Sequence, residues 1–137
     1  MDTYIGLKTI KAEPEFRDGD AGYKVRYADG YESWSPAEPF NDAYRPMNAA
    51  SFSIALEGMK RGEQWCRAGW NGKGMFVYLV DGSHFTVNRA PLLGIYPEGT
   101  EIDYRSHIDM KTADGSCVPW VASQSDLLAE DWWRFTP

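Results

Sequence analysis

The stretch PWVASQSDLLAEDW, residues 119–132, places a short predicted helix between two tryptophans. Ser123 stands where the helix begins and Asp126 follows three residues later, which is the spacing of a capping box. In that structural interpretation, Leu127 and Leu128 face the core and the tryptophans are packing residues. The same helix start has unpaired N–H groups and a partial positive charge, which suits a phosphate beside a tryptophan ring. The residues alone leave both interpretations open, a structural cap or a ligand site.

The segments on either side of this stretch have the alternation and turn residues of a small antiparallel sheet. Asp114 and Gly115 supply the turn between two of its strands, and the chain returns after the helix to close the sheet. The predicted strands span residues 64–67, 75–80, 107–111, 118–121 and 132–135.

A glycine-rich turn, AGWNGKG at residues 68–74, joins the first two of these strands. Asn71 and Gly72 supply its turn chemistry, and Trp70 projects either over the sheet or into a pocket. Because glycine permits close backbone approach, this turn is either an ordinary hairpin loop or a nest for phosphate.

The clearest helix of the sequence begins after Ser51, a residue type favoured at the N-cap. Gly62 follows the basic residues Lys60 and Arg61 and predicts where the helix stops. The apolar positions at helical spacing are Phe52, Ala55, Leu56 and Met59.

Residues 81–106 are the least regular part of the chain. They combine polar residues and two prolines with apolar clusters that have no period. We expect a long ordered excursion here, and such loops in compact domains are usually functional or lie at an interface.

The predicted fold class is α+β, a small antiparallel sheet with two short helices, plus an N-terminal β-hairpin lobe. Residues 1–47 are assigned to this N-terminal β-rich extension and residues 48–137 to the main domain. In the extension, residues 3–12 alternate as a strand, and GYKVRYADGYESWSP, residues 22–36, is a hairpin. Its Asp-Gly pair predicts a turn of the primed type.

The composition is that of an ordinary folded protein with unusually many aromatic rings. Aromatic residues make up 15% and include six tryptophans, which favours stacking surfaces or a large subunit interface. The net charge of −6 is shared, with 6 Lys/Arg against 9 Asp/Glu in residues 1–47 and 8 against 11 in residues 48–137. Long nucleic acid is therefore not an expected partner, whereas a small nucleotide needs only a few well-placed donors.

Cysteine usage and the apolar pattern predict a cytoplasmic protein. Cys66 and Cys117 lie far apart with no CxxC spacing, which favours free thiols, with a single disulfide as the alternative. The first residues do not have the pattern of a signal peptide, and no apolar run approaches the roughly 20 residues that span a bilayer.

The residues give little support to enzymatic chemistry. GxSxG, Walker A and GxGxxG patterns are absent, and neither cysteine has catalytic context. Of the candidate metal ligands His84, His107 and Asp109, only the last two are close in sequence, and a structural pair explains them. Glu130 and Asp131 lie in a run typical of a solvated helix end. We therefore predict no enzyme, no metal site and no cofactor, and recognition by rings and nearby cations: Trp70, Phe76, Trp120, Trp132, Arg67, Lys73, Arg89 and Arg105.

Most of the chain closely resembles the Thoeris anti-defence type two domain family, a family of small phage and prophage proteins. The likeness rests on SFSIALEGMKRGEQWCRAGWNGKGMFVYLV, residues 51–80, and PLLGIYPEGTEIDYRSHIDMKTADGSCVPWVASQSDLLAEDWW, residues 91–133. The motifs GWNGKGM and PWVASQSDLLAEDW are its most specific parts. Residues 1–47 resemble an N-terminal extension found on some members.

The resemblance implies an immune-evasion protein that acts as a nucleotide sponge in the host cytoplasm. Such a protein binds glycocyclic ADP-ribose, the messenger made by TIR-domain enzymes of Thoeris immunity, and does not cleave it. The resemblance also implies cyclic dinucleotides of CBASS immunity as a second ligand class. It further implies homo-oligomers, commonly tetramers, with ligand at the subunit junctions.

The resemblance implies ligand-binding positions in this chain, and from the chemistry of these side chains we infer their roles. Either Trp70 or Trp120 stacks on adenine, and Asn71 and Gln124 bond base or ribose edges. Asp126 accepts from ribose hydroxyls, and Arg67 or Lys73 faces the pyrophosphate. The implied ligand-binding residues are Phe52, Arg67, Trp70, Asn71, Lys73, Trp120, Ser123, Gln124 and Asp126.

Two alternatives of other classes stay open at this point. One is a hydrolase of the same nucleotides, with His107, Asp109 or Asp126 as general base. The other is a phage interaction module whose aromatic residues bury a protein partner.

Overall fold

The computed structural model describes residues 1–70 and 73–137, which divide into two compact units, Met1–Pro46 and Met47–Pro137. The fold class is α+β, as predicted, with three helices and small antiparallel sheets in the described residues. None of these helices has the length and apolar composition that crossing a bilayer requires.

The N-terminal unit is a three-stranded antiparallel sheet followed by one short helix. The helix packs its rings on the central strand, since Phe40 stacks on Tyr23 with ring centroids 4.0 Å apart and lies 5.0 Å from Tyr44. Val25 on the same strand is fully buried. The elements are β1 (Lys11–Pro14), β2 (Gly22–Arg26), β3 (Glu32–Pro36) and α1 (Ala37–Ala43), with the sheet order β1-β2-β3.

The strand predicted at residues 3–12 is wrong over most of its length, because β1 begins only at Lys11. The register explains why: Lys11 already pairs with Arg26, the last residue of β2, so residues before it have no strand to pair with. Ile5 is accordingly fully exposed. Alternation alone predicted a strand where the sheet offers no partner.

The hairpin at residues 22–36 is confirmed, but its turn is not of the primed type. A primed turn needs positive φ at both central residues. Here only Gly30 has it, at 89°. Its N–H donates to the Tyr27 carbonyl at 2.9 Å, and Tyr27 N–H donates to the Tyr31 carbonyl at 2.9 Å. The chain therefore uses a three-residue loop that ends in a left-handed glycine.

The second unit is built on a five-stranded antiparallel sheet of order β10-β4-β5-β8-β9, with a separate two-stranded sheet of β6 and β7. The five strands predicted for this sheet are confirmed to within two residues. The helix predicted after Ser51 is confirmed as α2. The elements are α2 (Phe52–Lys60), β4 (Trp65–Arg67), β5 (Phe76–Val80), β6 (Ser83–Thr86), β7 (Glu101–Tyr104), β8 (His107–Lys111), β9 (Cys117–Pro119), α3 (Gln124–Leu128) and β10 (Trp132–Arg134).

The core of this unit lies between α2 and the strands β4, β5 and β10. Two tryptophans, Trp65 and Trp132, are the largest fully buried side chains of the described residues. Gly58 on α2 meets the Trp65 indole so closely that an added Cβ would overlap Trp65 Nε1. Glycine is thus required there by packing, at the cost of helix propensity. The other buried members of the cluster are Ala50, Ala55, Met59 and Val77.

One expectation about this unit is incomplete and another is wrong. Residues 81–106 contain a hairpin, β6 paired with β7, which the sequence pattern did not reveal because the strands are short and far apart in sequence. Leu127 and Leu128 do not face the core, since they are 40% and 77% exposed. The five-residue helix α3 buries Asp126 instead.

Candidate functional site

Four aromatic rings from four separate segments meet at the end of the core that α3 covers. Trp132 is fully buried, with Trp70 at 5.3 Å, Phe52 at 5.4 Å and Trp120 at 6.1 Å between ring centroids. The three surrounding rings are only partly buried. The structure therefore brings together three ring positions that the family resemblance implied, and adds Trp132 as their buried support.

The carboxylate of Asp126 sits beside these rings and accepts hydrogen bonds from three groups. Oδ1 accepts from Arg67 Nη1 at 2.9 Å and from Trp70 Nε1 at 3.3 Å, and Oδ2 accepts from the Ser123 backbone N–H at 3.3 Å. The Asp126 N–H in turn donates to Ser123 Oγ at 3.0 Å. The predicted capping box is therefore confirmed, and its acidic member also orients a tryptophan ring.

Arg67 on β4 links Asp126 to a second carboxylate, Asp131. Its Nε donates to Asp131 Oδ1 at 2.8 Å and its Nη2 approaches Oδ2 at 3.4 Å, while Gly69 N–H donates to Oδ2 at 3.0 Å. The prediction that Asp131 lies on a solvated helix end is wrong. Asp131 immediately precedes Trp132, which pairs with Arg67 in the sheet, so strand pairing brings the two charges together.

The charges of this network reinforce one another. The bonds to Asp131 and then to Asp126 raise the pKa of the Arg67 guanidinium. Burial alone raises the pKa of Asp126, but its bonds from Arg67, Ser123 and Trp70 outweigh burial and hold that pKa below its usual value. The pKa of Asp131 is lowered chiefly by its bonds from Arg67. Both carboxylates are therefore ionised at neutral pH.

We expect acid to remove the stabilisation that this network provides. A carboxyl with a lowered folded-state pKa stabilises fully above its unfolded pKa, about 3.9 for Asp, and loses that contribution as pH falls through the folded value. The destabilisation caused by Asp131→Asn should therefore be larger at pH 7 than at pH 3. Urea unfolding of wild type and variant at both pH values measures this loss in the free energy of unfolding. An equal loss at pH 7 and pH 3 would contradict the lowered pKa of Asp131.

Three of the implied positions lie at the protein surface. Ser123, Gln124 and Lys73 are exposed. Asn71 lies outside the described residues. The network around Trp132 thus contains six of the implied positions, Phe52, Arg67, Trp70, Trp120, Ser123 and Asp126. The sequence had pointed to Trp132 as a recognition ring, but it gave no sign that Asp131 belongs here.

The other candidate groups are small: one histidine beside one carboxylate, and His84 beside both Asp103 and Glu101. His107 Nε2 lies 3.5 Å from Asp109 Oδ1, and His84 Nδ1 lies 2.6 Å from Asp103 Oδ1 on the β6–β7 hairpin. Among the described residues, no three His, Cys, Asp or Glu side chains are arranged to hold a metal ion. Cys66 and Cys117 are free thiols, as predicted.

Comparison with known proteins places most of the second unit in a family. Residues 50–134 match the model of the Thoeris anti-defense 2-like domain. The protein named Thoeris anti-defense 2 from Bacillus phage SP01 is 43% identical over 82 residues, a match that covers 60% of this chain and 90% of that protein. The ring cluster and its ion pairs all lie within the matched residues, and the unit Met1–Pro46 lies outside them.

Proposed function

The chain belongs to the Thoeris anti-defense 2-like family, and on that premise we propose that it is a phage-type immune-evasion protein acting against Thoeris. It binds and sequesters the cyclic nucleotide glycocyclic ADP-ribose and leaves the ligand intact. The observation that carries this proposal is the cluster of partly buried rings beside Arg67 and Asp126, within the residues that match the family model.

The chemistry of the cluster supports binding of a small nucleotide. A base stacked on an aromatic ring contributes roughly 1 to 3 kcal/mol in single-strand binders, and charge-assisted bonds to phosphate are among the stronger hydrogen bonds. The rings of Trp70 and Trp120 lie in a T-shaped arrangement, with their centroids 6.4 Å apart. In this proposal one of them stacks on adenine, Asn71 and Gln124 bond base or ribose edges, and Arg67 or Lys73 faces the pyrophosphate.

The protonation state of Asp126 argues against its acting as the general base of a hydrolase. A general base works best with a pKa near the operating pH. Asp126 already accepts bonds from Arg67, Trp70 and Ser123, and these hold its pKa below the ordinary value. Its role in the proposal is therefore to position Trp70, with any contact to ribose hydroxyls made in addition.

Assembly and location complete the proposal. The protein acts in the host cytoplasm as a homo-oligomer, a tetramer, and the partly exposed rings are closed over the ligand at a junction between subunits. Cyclic dinucleotides of CBASS immunity are a second ligand class, held apart from the first.

A release experiment tests the proposal directly. The purified protein is incubated with glycocyclic ADP-ribose, filtered to remove free ligand, and heated so that bound ligand is released. We expect intact messenger at no more than one molecule per site, because Asp126, the carboxylate beside the rings, has a lowered pKa and is a poor general base. An altered product, or turnover beyond one ligand per site, would establish a hydrolase instead.

Two variants distinguish the ring cluster from other aromatic surfaces. Trp120→Leu keeps an apolar side chain but removes a ring, and should weaken binding by about tenfold or more. Trp133→Leu is the matched control, because Trp133 points to the opposite face of β10 from Trp132. Equal loss in both variants would place the ligand elsewhere.

A further inference from the structure

Asp131 occupies a place where three donors hold an anion. Arg67 presents Nε and Nη2 to its two carboxylate oxygens at 2.8 and 3.4 Å, and Gly69 N–H donates to Oδ2 at 3.0 Å. A planar guanidinium combined with a backbone amide suits carboxylate and phosphate equally well. We call these donors the Arg67–Gly69 anion site.

Glycine at position 69 provides room for this anion. Its φ does not lie in the left-handed region, so backbone conformation does not require glycine there. An added Cβ would instead lie 3.2 Å from Asp131 Oδ2 and 3.5 Å from Arg67 Nη2. The residue type is therefore explained by close approach of an anionic group.

The two carboxylates bound to Arg67 differ in how firmly they are held. Asp126 also caps α3 and holds the Trp70 indole, and its side chain is 13% exposed. The side chain of Asp131 is 34% exposed, and within the described part of the chain its hydrogen bonds come from Arg67 and Gly69 alone. Asp131 is thus the carboxylate that solvent reaches and that can leave without breaking the cap.

We propose that the Asp131 carboxylate is an internal substitute for a ligand phosphate, which fills the Arg67–Gly69 anion site in the free protein and is displaced when a phosphorylated ligand binds. This inference rests on the proposed function and adds a competition that regulates the same site. Asp131 keeps the guanidinium in place before the ligand arrives, so the incoming phosphate meets donors that are already ordered. It also lowers affinity for any anion that cannot outcompete a carboxylate.

Inorganic pyrophosphate is the probe, because it carries the proposed chemistry without a base or ribose. Binding is measured by calorimetry at low ionic strength, where exposed charges are least screened. Removing the competing charge in Asp131→Asn should tighten pyrophosphate binding by about tenfold over wild type. Asp131→Ala, which leaves the donors without a side-chain acceptor, should do the same.

The matched control is Glu63→Gln, which also removes a negative charge from an ion pair with an arginine, here Arg134 on β10 at 3.2 Å. It should leave pyrophosphate affinity unchanged. The double variant Arg67→Gln with Asp131→Asn should not show the tighter pyrophosphate binding of Asp131→Asn. Unfolding midpoints are recorded for every variant, so that a folding defect is recognised.

The inference is overturned if neither Asp131 variant gains affinity, or if the gain persists without Arg67 or appears equally in Glu63→Gln. The proposed function is judged separately, by whether wild type binds intact glycocyclic ADP-ribose. A wild-type protein that does not bind the messenger would refute that function. The pyrophosphate comparison would still decide whether Asp131 fills an anion site.

Discussion

Replacing Trp132 with alanine is expected to lower the free energy of unfolding of the second unit by about 4 kcal/mol. Trp132 is fully buried and is contacted by the rings of Phe52, Trp70 and Trp120. Its indole N–H also donates to the Asp126 carbonyl at 2.9 Å. The substitution therefore leaves a large cavity and an unpaired carbonyl. Such a loss is a large share of the free energy of unfolding of a typical domain, which is roughly 5 to 15 kcal/mol.

Urea unfolding followed by near-ultraviolet circular dichroism measures this effect. Trp133→Ala is the matched control. The ring of Trp133 is partly exposed on the opposite face of β10, and its centroid lies 6.2 Å from that of Phe135. We expect it to cost no more than about 2 kcal/mol. If both variants cost the same, Trp132 is not the central residue of the core that we describe.

The second large effect is expected for Arg67→Met, which should destabilise the unit by about 3 kcal/mol. Arg67 has 19% of its side chain exposed and neutralises two carboxylates, of which Asp126 is itself only 13% exposed. Removing one partner of a largely buried ion pair leaves an uncompensated charge, which costs more than the pair itself contributed. The ring of Trp70 should also shift, because its acceptor loses its position.

Arg134→Met provides the comparison for this prediction. Arg134 pairs with Glu63 at 3.2 Å, but its side chain is 49% exposed, so the loss should be at most about 1 kcal/mol. Chemical unfolding at neutral pH measures the free energy of unfolding of both variants. A loss from Arg67→Met as small as that from Arg134→Met would mean that water, and not Asp126 and Asp131, solvates the guanidinium.

These expectations show which parts of the site were predictable. The capping box depends on residues three positions apart, Ser123 and Asp126, so local spacing was sufficient to identify it. Arg67 and Asp131 are 64 positions apart, and no local pattern relates them. Without the strand pairing of β4 and β10, Asp131 looks like any acidic residue near a helix end. The ligand-binding roles of Phe52, Lys73, Gln124 and the other implied residues stay predictions.

The sequence by itself determined the α+β class, the strands of the main sheet, the helix after Ser51 and the family, because periodicity, turn residues and motifs are properties of neighbouring positions. Only the tertiary structure decided where β1 begins, that Asp126 rather than Leu127 is buried, and that one arginine holds two distant carboxylates. The physical reason is that a strand needs a partner and a charge needs a counter-charge. Both are supplied by segments whose proximity arises only when the chain folds.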